Sequence, residues 1–306
     1  MKKRIIVTAI LGFWAGIICA QGCSDAGFCT VHGIKNNTIT NTNAGKNELA
    51  AGFVFGKGER SISYYTWELE YTRNFTERTS ATAKLGYSFI DGELAKTNGL
   101  TDLFLSVNHR FDNNSKWKKS FLIGVKYPFD KSNISKNGIQ LPMPYQTSLG
   151  TTDLVAGITV ARNAFGATLA VQQPLKPING NRFLPTDYPV NSLANSYLPS
   201  NEFARKGDVL LRLSYDFALT KRFSLRPSLL GIYHEVNDTY VDANKLRREI
   251  GGSSGLTANA NLFANYRLNK TSAIELSLGT PFIVRTSRPD GLTRYLVAAF
   301  NYRYSF

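Results

Sequence analysis

From Asn47 onward, apolar and polar positions alternate with period two in one segment after another. The clearest segment sets Thr79, Ala81, Ala83, Leu85, Tyr87 and Phe89 on one face against Arg78, Ser80, Thr82, Lys84, Gly86 and Ser88 on the other. Such alternation predicts a strand with one apolar and one polar face. It recurs at Leu103, Leu105 and Val107, at Leu154, Ala156, Ile158 and Val160, at Val209 to Phe217, and at Ala258 to Tyr266. Twelve strands follow, over approximately 47–56, 61–73, 77–90, 99–111, 118–129, 150–162, 165–173, 207–219, 223–235, 255–268, 272–283 and 292–306. Most are longer than the ~5–6 residues of soluble sheets and suit a tilted strand crossing a bilayer.

The connections supply a second pattern. Those after even strands are short: Asn74 to Thr76, Asp112 to Trp117, Asn163 with Ala164, Thr220 to Arg222, and Asn269 to Thr271. Most of those after odd strands are long, and Asp130 to Leu149, Pro174 to Lys206 and Val236 to Ser254 carry much of the Pro and Gly. Alternating short turns and long loops mark an outer-membrane barrel, with the short turns in the periplasm. The expected fold is therefore an all-β, transmembrane antiparallel barrel of about twelve strands, spanning 47–306 with both barrel termini periplasmic. Ten or fourteen strands are the alternatives, because 165–173 is short and the loop after it has room for a further hairpin. A soluble sandwich would have to find a core for every outward apolar face.

Composition narrows the class further. The chain is 19% charged and 12% aromatic, with 19 Phe, 15 Tyr and 3 Trp, which argues against disorder. Three Cys and no glycine period exclude disulfide-dense and collagenous classes. Thirty-six Lys and Arg against 22 Asp and Glu give a formal charge of +14. These cations are scattered over strands and loops, so contact with anionic lipopolysaccharide and outer-membrane lipid, or with a periplasmic partner, is expected rather than nucleic acid.

The first twenty residues read as a signal peptide: Lys2, Lys3 and Arg4, then apolar Ile5 to Ile18, then small residues at Cys19 and Ala20. Export would leave 21–46 as a polar periplasmic segment holding Cys23 and Cys29. A disulfide between these two is expected, with lipidation of Cys23 in a degenerate lipobox as the alternative. His32 lies nearby, but two thiols and one imidazole fall one ligand short of a zinc site, and no cofactor or metal is expected.

Tyr71, Phe75, Phe111, Phe165, Phe217, Phe223, Tyr266, Tyr302 and Tyr304 fall near the expected periplasmic strand ends as an aromatic girdle. The ending Phe300-Asn301-Tyr302-Arg303-Tyr304-Ser305-Phe306 resembles the C-terminal signal by which bacterial outer-membrane barrels engage the barrel-assembly machinery, with Phe300, Tyr302, Tyr304 and Phe306 as its aromatic positions. Three further stretches are Gly99-Leu100-Thr101-Asp102-Leu103 through His109-Arg110-Phe111, Ile123-Gly124-Val125-Lys126-Tyr127-Pro128, and Gly150-Thr151-Thr152-Asp153-Leu154. Together with Thr280-Pro281 they resemble the outer-membrane channels of phenol-degradation (MetA-type) pathways, within the hydrophobic-compound transporters. Where that pattern has Gly-Leu-Gly-Asp, this chain has Thr101 or Thr152 in place of the second Gly. The resemblance covers roughly 60–306 and implies a channel in the cell outer membrane for small hydrophobic or aromatic solutes.

The alternation assigns inward-facing positions. Glu68, Glu70, Lys84, Asp102, Arg110, Asp153, Asp208, Arg212, Asp216, Arg226, Arg267, Glu275 and Arg303 are expected in the lumen, either lining a passage or pairing to fill it. Asp102, Asp153 and Asp208 occupy equivalent places just inside the outer ends of the fourth, sixth and eighth strands, as a selectivity group or as loop caps. An outer-membrane enzyme of lipase or acyltransferase type is the competing class, and so is a non-conducting interaction barrel. For the enzyme, His234 with Asp238 or Asp242 is the base and orienter to consider, although a lone His beside a loop is usually solvated.

Overall fold

Strict alternation of outward and inward side chains produces twelve long strands. The computed structural model describes residues 46–111, 116–291 and 294–306. The expected signal peptide, the segment after it as far as residue 45, and the Cys23–Cys29 pair lie outside the described residues. The strands are β1 (Asn47–Gly58), β2 (Ser63–Asn74), β3 (Thr79–Asp91), β4 (Leu103–Phe111), β5 (Trp117–Tyr127) and β6 (Thr152–Arg162), then β7 (Phe165–Lys176), β8 (Asp208–Tyr215), β9 (Phe223–His234), β10 (Gly255–Arg267), β11 (Ser272–Ile283) and β12 (Arg294–Ser305). Each pairs antiparallel with its chain neighbours, and β12 pairs with β1 to close the barrel. Closure leaves no sheet edge for lipid to solvate, the condition for a β-structure to span a bilayer.

Two strands are interrupted where the sequence reads as continuous. Lys96–Leu100 pairs with the far half of β3 and Leu103 starts β4, so the expected 99–111 strand breaks at Thr101 and Asp102. There the Thr101 hydroxyl accepts from the Gly86 amide at 3.0 Å, and the Thr101 amide donates to the Gly86 carbonyl at 2.9 Å. The second break is at Asp216, whose amide donates to the Ala164 carbonyl before Phe217–Ala218 resumes pairing with β9. Two short hairpins, Ser135–Lys136 with Ile139–Gln140 and Thr239–Val241 with Arg247–Glu249, stay in the loops and add no barrel strand.

At the turn end, side chains close the connections. Thr76 accepts from the amides of Arg78 and Thr79, Thr220 from those of Arg222 and Phe223, and Asn269 from those of Thr271 and Ser272. These residues bind their own backbone and so favour tight reversals. Outward positions form an apolar belt: Leu105, Ile158, Leu213 and Leu262 are exposed, and Leu85 shares their register half-buried. Tyr71, Phe75, Phe111, Phe165, Phe217, Tyr266, Tyr302 and Tyr304 are likewise exposed, toward the turn end. Phe300, Tyr302 and Tyr304 stand opposite Phe53, Ala51 and Leu49 across the closing seam.

Candidate functional site

Inside the barrel, three layers follow one another from the loop end to the turn end. At the loop end, buried charges link strands to loops in an unbroken chain. Lys126 Nζ on β5 lies 3.4 Å from Asp102 Oδ2 and 2.7 Å from Asp153 Oδ2 on β6. Arg205, from the loop after β7, reaches Asp153 at 3.7 Å and pairs with Asp208 on β8. Asp208 then meets His234 Nδ1 at 2.6 Å, and His234 Nε2 meets Asp238 at 2.8 Å. Arg285, in the loop after β11, stands 3.9 Å from Asp238 and 2.7 Å from Asp290. Every side chain in this series is 5% exposed or less. Buried charge is tolerated only when paired and hydrogen-bonded. Ser148 accordingly donates to Asp102, Gln172 to Asp153, and the Lys206 amide to Asp238.

Asp102, Asp153 and Asp208 are thus brought together, bound to two cations that sequence reasoning did not single out. His234, expected to be solvated, is buried with a carboxylate on each ring nitrogen. Both ring nitrogens are occupied by these carboxylates, which leaves neither facing an approaching nucleophile in this arrangement. Asp242 is elsewhere, in the exposed hairpin, where a hydrogen bond from Arg248 holds its carboxyl below the usual range.

The loops above this chain interlock across the mouth. Ile62, Tyr64 and Ile90, inward at the loop end, pack with Leu141, Tyr145, Phe183, Ala194 and Tyr197 in one apolar cluster. The Tyr145 and Tyr197 hydroxyls lie 3.3 Å apart, and burial raises the Tyr197 phenol above its usual range, keeping it neutral. Asn181 Nδ2 donates to the Ser132 and Leu141 carbonyls, tying the loop after β7 to that after β5. The loop after β11 joins them at Gly291, with φ +70°, where a Cβ would fall 2.5 Å from the Met143 backbone. Only glycine fits both that approach and that backbone conformation.

Below the charges lies an inward apolar wall on six consecutive strands, β4 to β9: Phe104, Leu122, Val155, Ala170, Leu210, Leu230 and Ile232. Phe104 covers Gly124, where a Cβ would lie 2.9 Å from its ring. The facing wall is polar, with Thr66, Ser88, Thr257, Asn259 and Asn261 buried. Side-chain polar atoms of Thr257, Asn259 and Asn261 have no hydrogen-bond partner among the described residues.

At the turn end lies a cavity of ≈ 280 Å³ lined by Arg226, Arg267, Glu275 and Arg303 among others. Arg226 pairs with Asp216, and Arg303 stands 3.0 Å from Glu48 and 4.0 Å from Glu275. Arg212, buried behind them, lies over the Phe263 ring at 5.8 Å. Glu68 and Lys84 pair at 2.9 Å, and Glu70 is buried. Arg110 stands apart from these: it is exposed at the rim, its guanidinium on the Glu77 carbonyl of the β2–β3 turn.

No protein-family model and no curated protein matches the sequence. Among solved structures, the chain is similar to an outer membrane channel from Pseudomonas putida F1, at 12% identity over 86% of this chain and 96% of that one, with a TM-score of 0.58. The NanC porin matches at 10% identity over 85% and 98%, TM-score 0.46, and the translocator domain of autotransporter NalP from Neisseria meningitidis at 12% over 87% and 90%, TM-score 0.46. At 12% identity, the likeness to the Pseudomonas putida channel is one of fold. That fold, closed and belted with apolar side chains, is the fold of a barrel in the cell outer membrane.

Proposed function

We propose that this barrel is a channel for passive passage of small hydrophobic or aromatic solutes, with its loop end facing outside and its turns in the periplasm. The apolar wall from Phe104 to Ile232 carries this reading. Lumens of membrane barrels are ordinarily polar. This wall is packed in the described arrangement, and once the lumen opens its continuous apolar face on six strands would give an apolar solute somewhere to rest between two charged layers. Passage requires the interlocked loops to part, so the described arrangement is the shut one. The test is efflux from liposomes holding the refolded protein, with a neutral aromatic solute and a sugar of similar size side by side. Faster efflux of the aromatic, reduced when Leu210 and Leu230 are both changed to Gln, supports the channel. Efflux no faster than from protein-free liposomes for either solute overturns it.

A further inference from the structure

The cavity at the turn end has a charge imbalance that pairing within the barrel does not remove. Arg222, Arg226, Arg267, Arg303 and Lys221 line it, against Glu48 and Glu275. Arg303 is engaged by both of these glutamates and Arg226 by Asp216. Arg267 differs: its β10 position points it into the cavity beside Ala273, its partner in register, and among the described residues it pairs with no carboxylate. Arg222 and Lys221, on the β8–β9 turn, add positive potential at the opening. A partly enclosed site lined by one sign of charge concentrates ions of the opposite sign.

We propose that this cavity is a binding site for the carboxylate of a small monoanionic organic acid, held by the Arg267 guanidinium. The fork of a guanidinium matches a carboxylate in bidentate geometry. An organic monoacid suits the site better than inorganic phosphate, because one carboxylate fills the fork of a single guanidinium and the apolar wall beside it gives phosphate nothing to contact. The acid's apolar body rests against Ala218 and Ala273, which also line the cavity. This inference deepens the channel reading and rests on it for the route by which the acid arrives. It makes the turn end a selective station for acids among the solutes that the apolar wall admits.

Calorimetric titration of the refolded full-length protein with benzoate, neutral benzamide and inorganic phosphate tests the site. Benzoate is expected to bind saturably at roughly 0.1 M salt and to weaken at roughly 1 M. Affinity should fall about tenfold in Arg267→Gln, the equivalent of one charge-assisted hydrogen-bonded contact in a half-exposed site. Arg267→Lys should retain part of it, and the heat-dependent gel mobility of folded barrel should be unchanged in both variants. Benzamide binding as tightly as benzoate, phosphate binding more tightly than benzoate, or Arg267→Gln leaving benzoate affinity unaltered would each overturn the assignment. Benzamide efflux from liposomes reads the channel separately. Efflux without benzoate binding refutes this site alone, whereas benzoate binding without efflux of any solute refutes the channel alone.

Discussion

Lys126 and Asp153 are register partners on adjacent strands, and their charged atoms stand 2.7 Å apart with neither side chain more than 4% exposed. Removing one partner leaves an uncompensated charge in a dry environment. Lys126→Met is therefore expected to destabilise the barrel by about 3–5 kcal/mol, read as a lower urea midpoint in detergent micelles. Lys126→Met combined with Asp102→Asn and Asp153→Asn should recover much of that loss, since no orphaned charge remains. If the triple variant is no better than the single one, the pair is not the source of the effect.

The three aspartates Asp102, Asp153 and Asp208 separate two roles by experiment. Held by Lys126, Arg205 and His234, they act as fasteners between strands and loops. Joint replacement by Asn should make the loops after β5 and β7 susceptible to limited proteolysis in the assembled barrel, with a small effect on the anion-to-cation preference of any conductance. A large change in ion preference with unaltered proteolysis would assign them to selectivity instead.

Facing lipid, Leu105 and Ile158 are 46% and 55% exposed on the apolar belt. Arginine at either site is expected to cost ~2–4 kcal/mol if the site lies near the bilayer midplane. Refolding equilibria in lipid vesicles provide the measurement. The inward neighbour Ser106 changed to Arg offers the contrast, because its cost would come from crowding and would persist in detergent.

The hairpin at Asp242 is expected to have a pH dependence of its own. Its carboxylate accepts from the Asn244 and Leu246 amides at 2.9 Å and from Arg248, which together hold its pKa below the usual carboxylate value. A depressed pKa means that the stabilisation is present above the unfolded-state value and is lost as pH falls through the folded-state one. Amide exchange at Asn244 and Leu246, corrected for its intrinsic pH dependence, should accelerate in that acidic window. Asp242→Asn should show little of this pH response.

The strands were legible because a membrane barrel writes its architecture into each residue: lipid on one side and lumen on the other impose period two over the full strand length. The same periodicity also places Lys126 inward and opposite Asp153, so this half of the charge chain lay within reach of register alone. Arg205, Arg285 and Asp290 did not, since loops have no period and the direction of their side chains is set by distant packing; Asp238 came within reach only as a near neighbour of His234 in the sequence. His234 shows the limit well. Its sequence neighbours suggest a solvated rim, and only the arrival of Asp208 from β8 and Asp238 from the loop converts it into a buried ring clamped between two carboxylates. The apolar wall was hidden for another reason: Leu210, Leu230 and Ile232 lie in the register that otherwise carries polar groups, so their strands read as apolar on both faces.

The seam between β1 and β12 ends in a reciprocal backbone pair, with each of Asn47 and Phe306 donating to the other's carbonyl at 2.9 Å. Because every strand also neighbours its successor, the wall is topologically a ring interrupted at one joint. Circular permutants that join 306 to 47 through a short linker and open the chain at an exposed loop position would preserve every inter-strand ladder. What they would change is the order of synthesis, and with it which strand arrives last. Comparing their insertion yields would separate the contribution of the terminal aromatic strand as a label from its contribution as a wall.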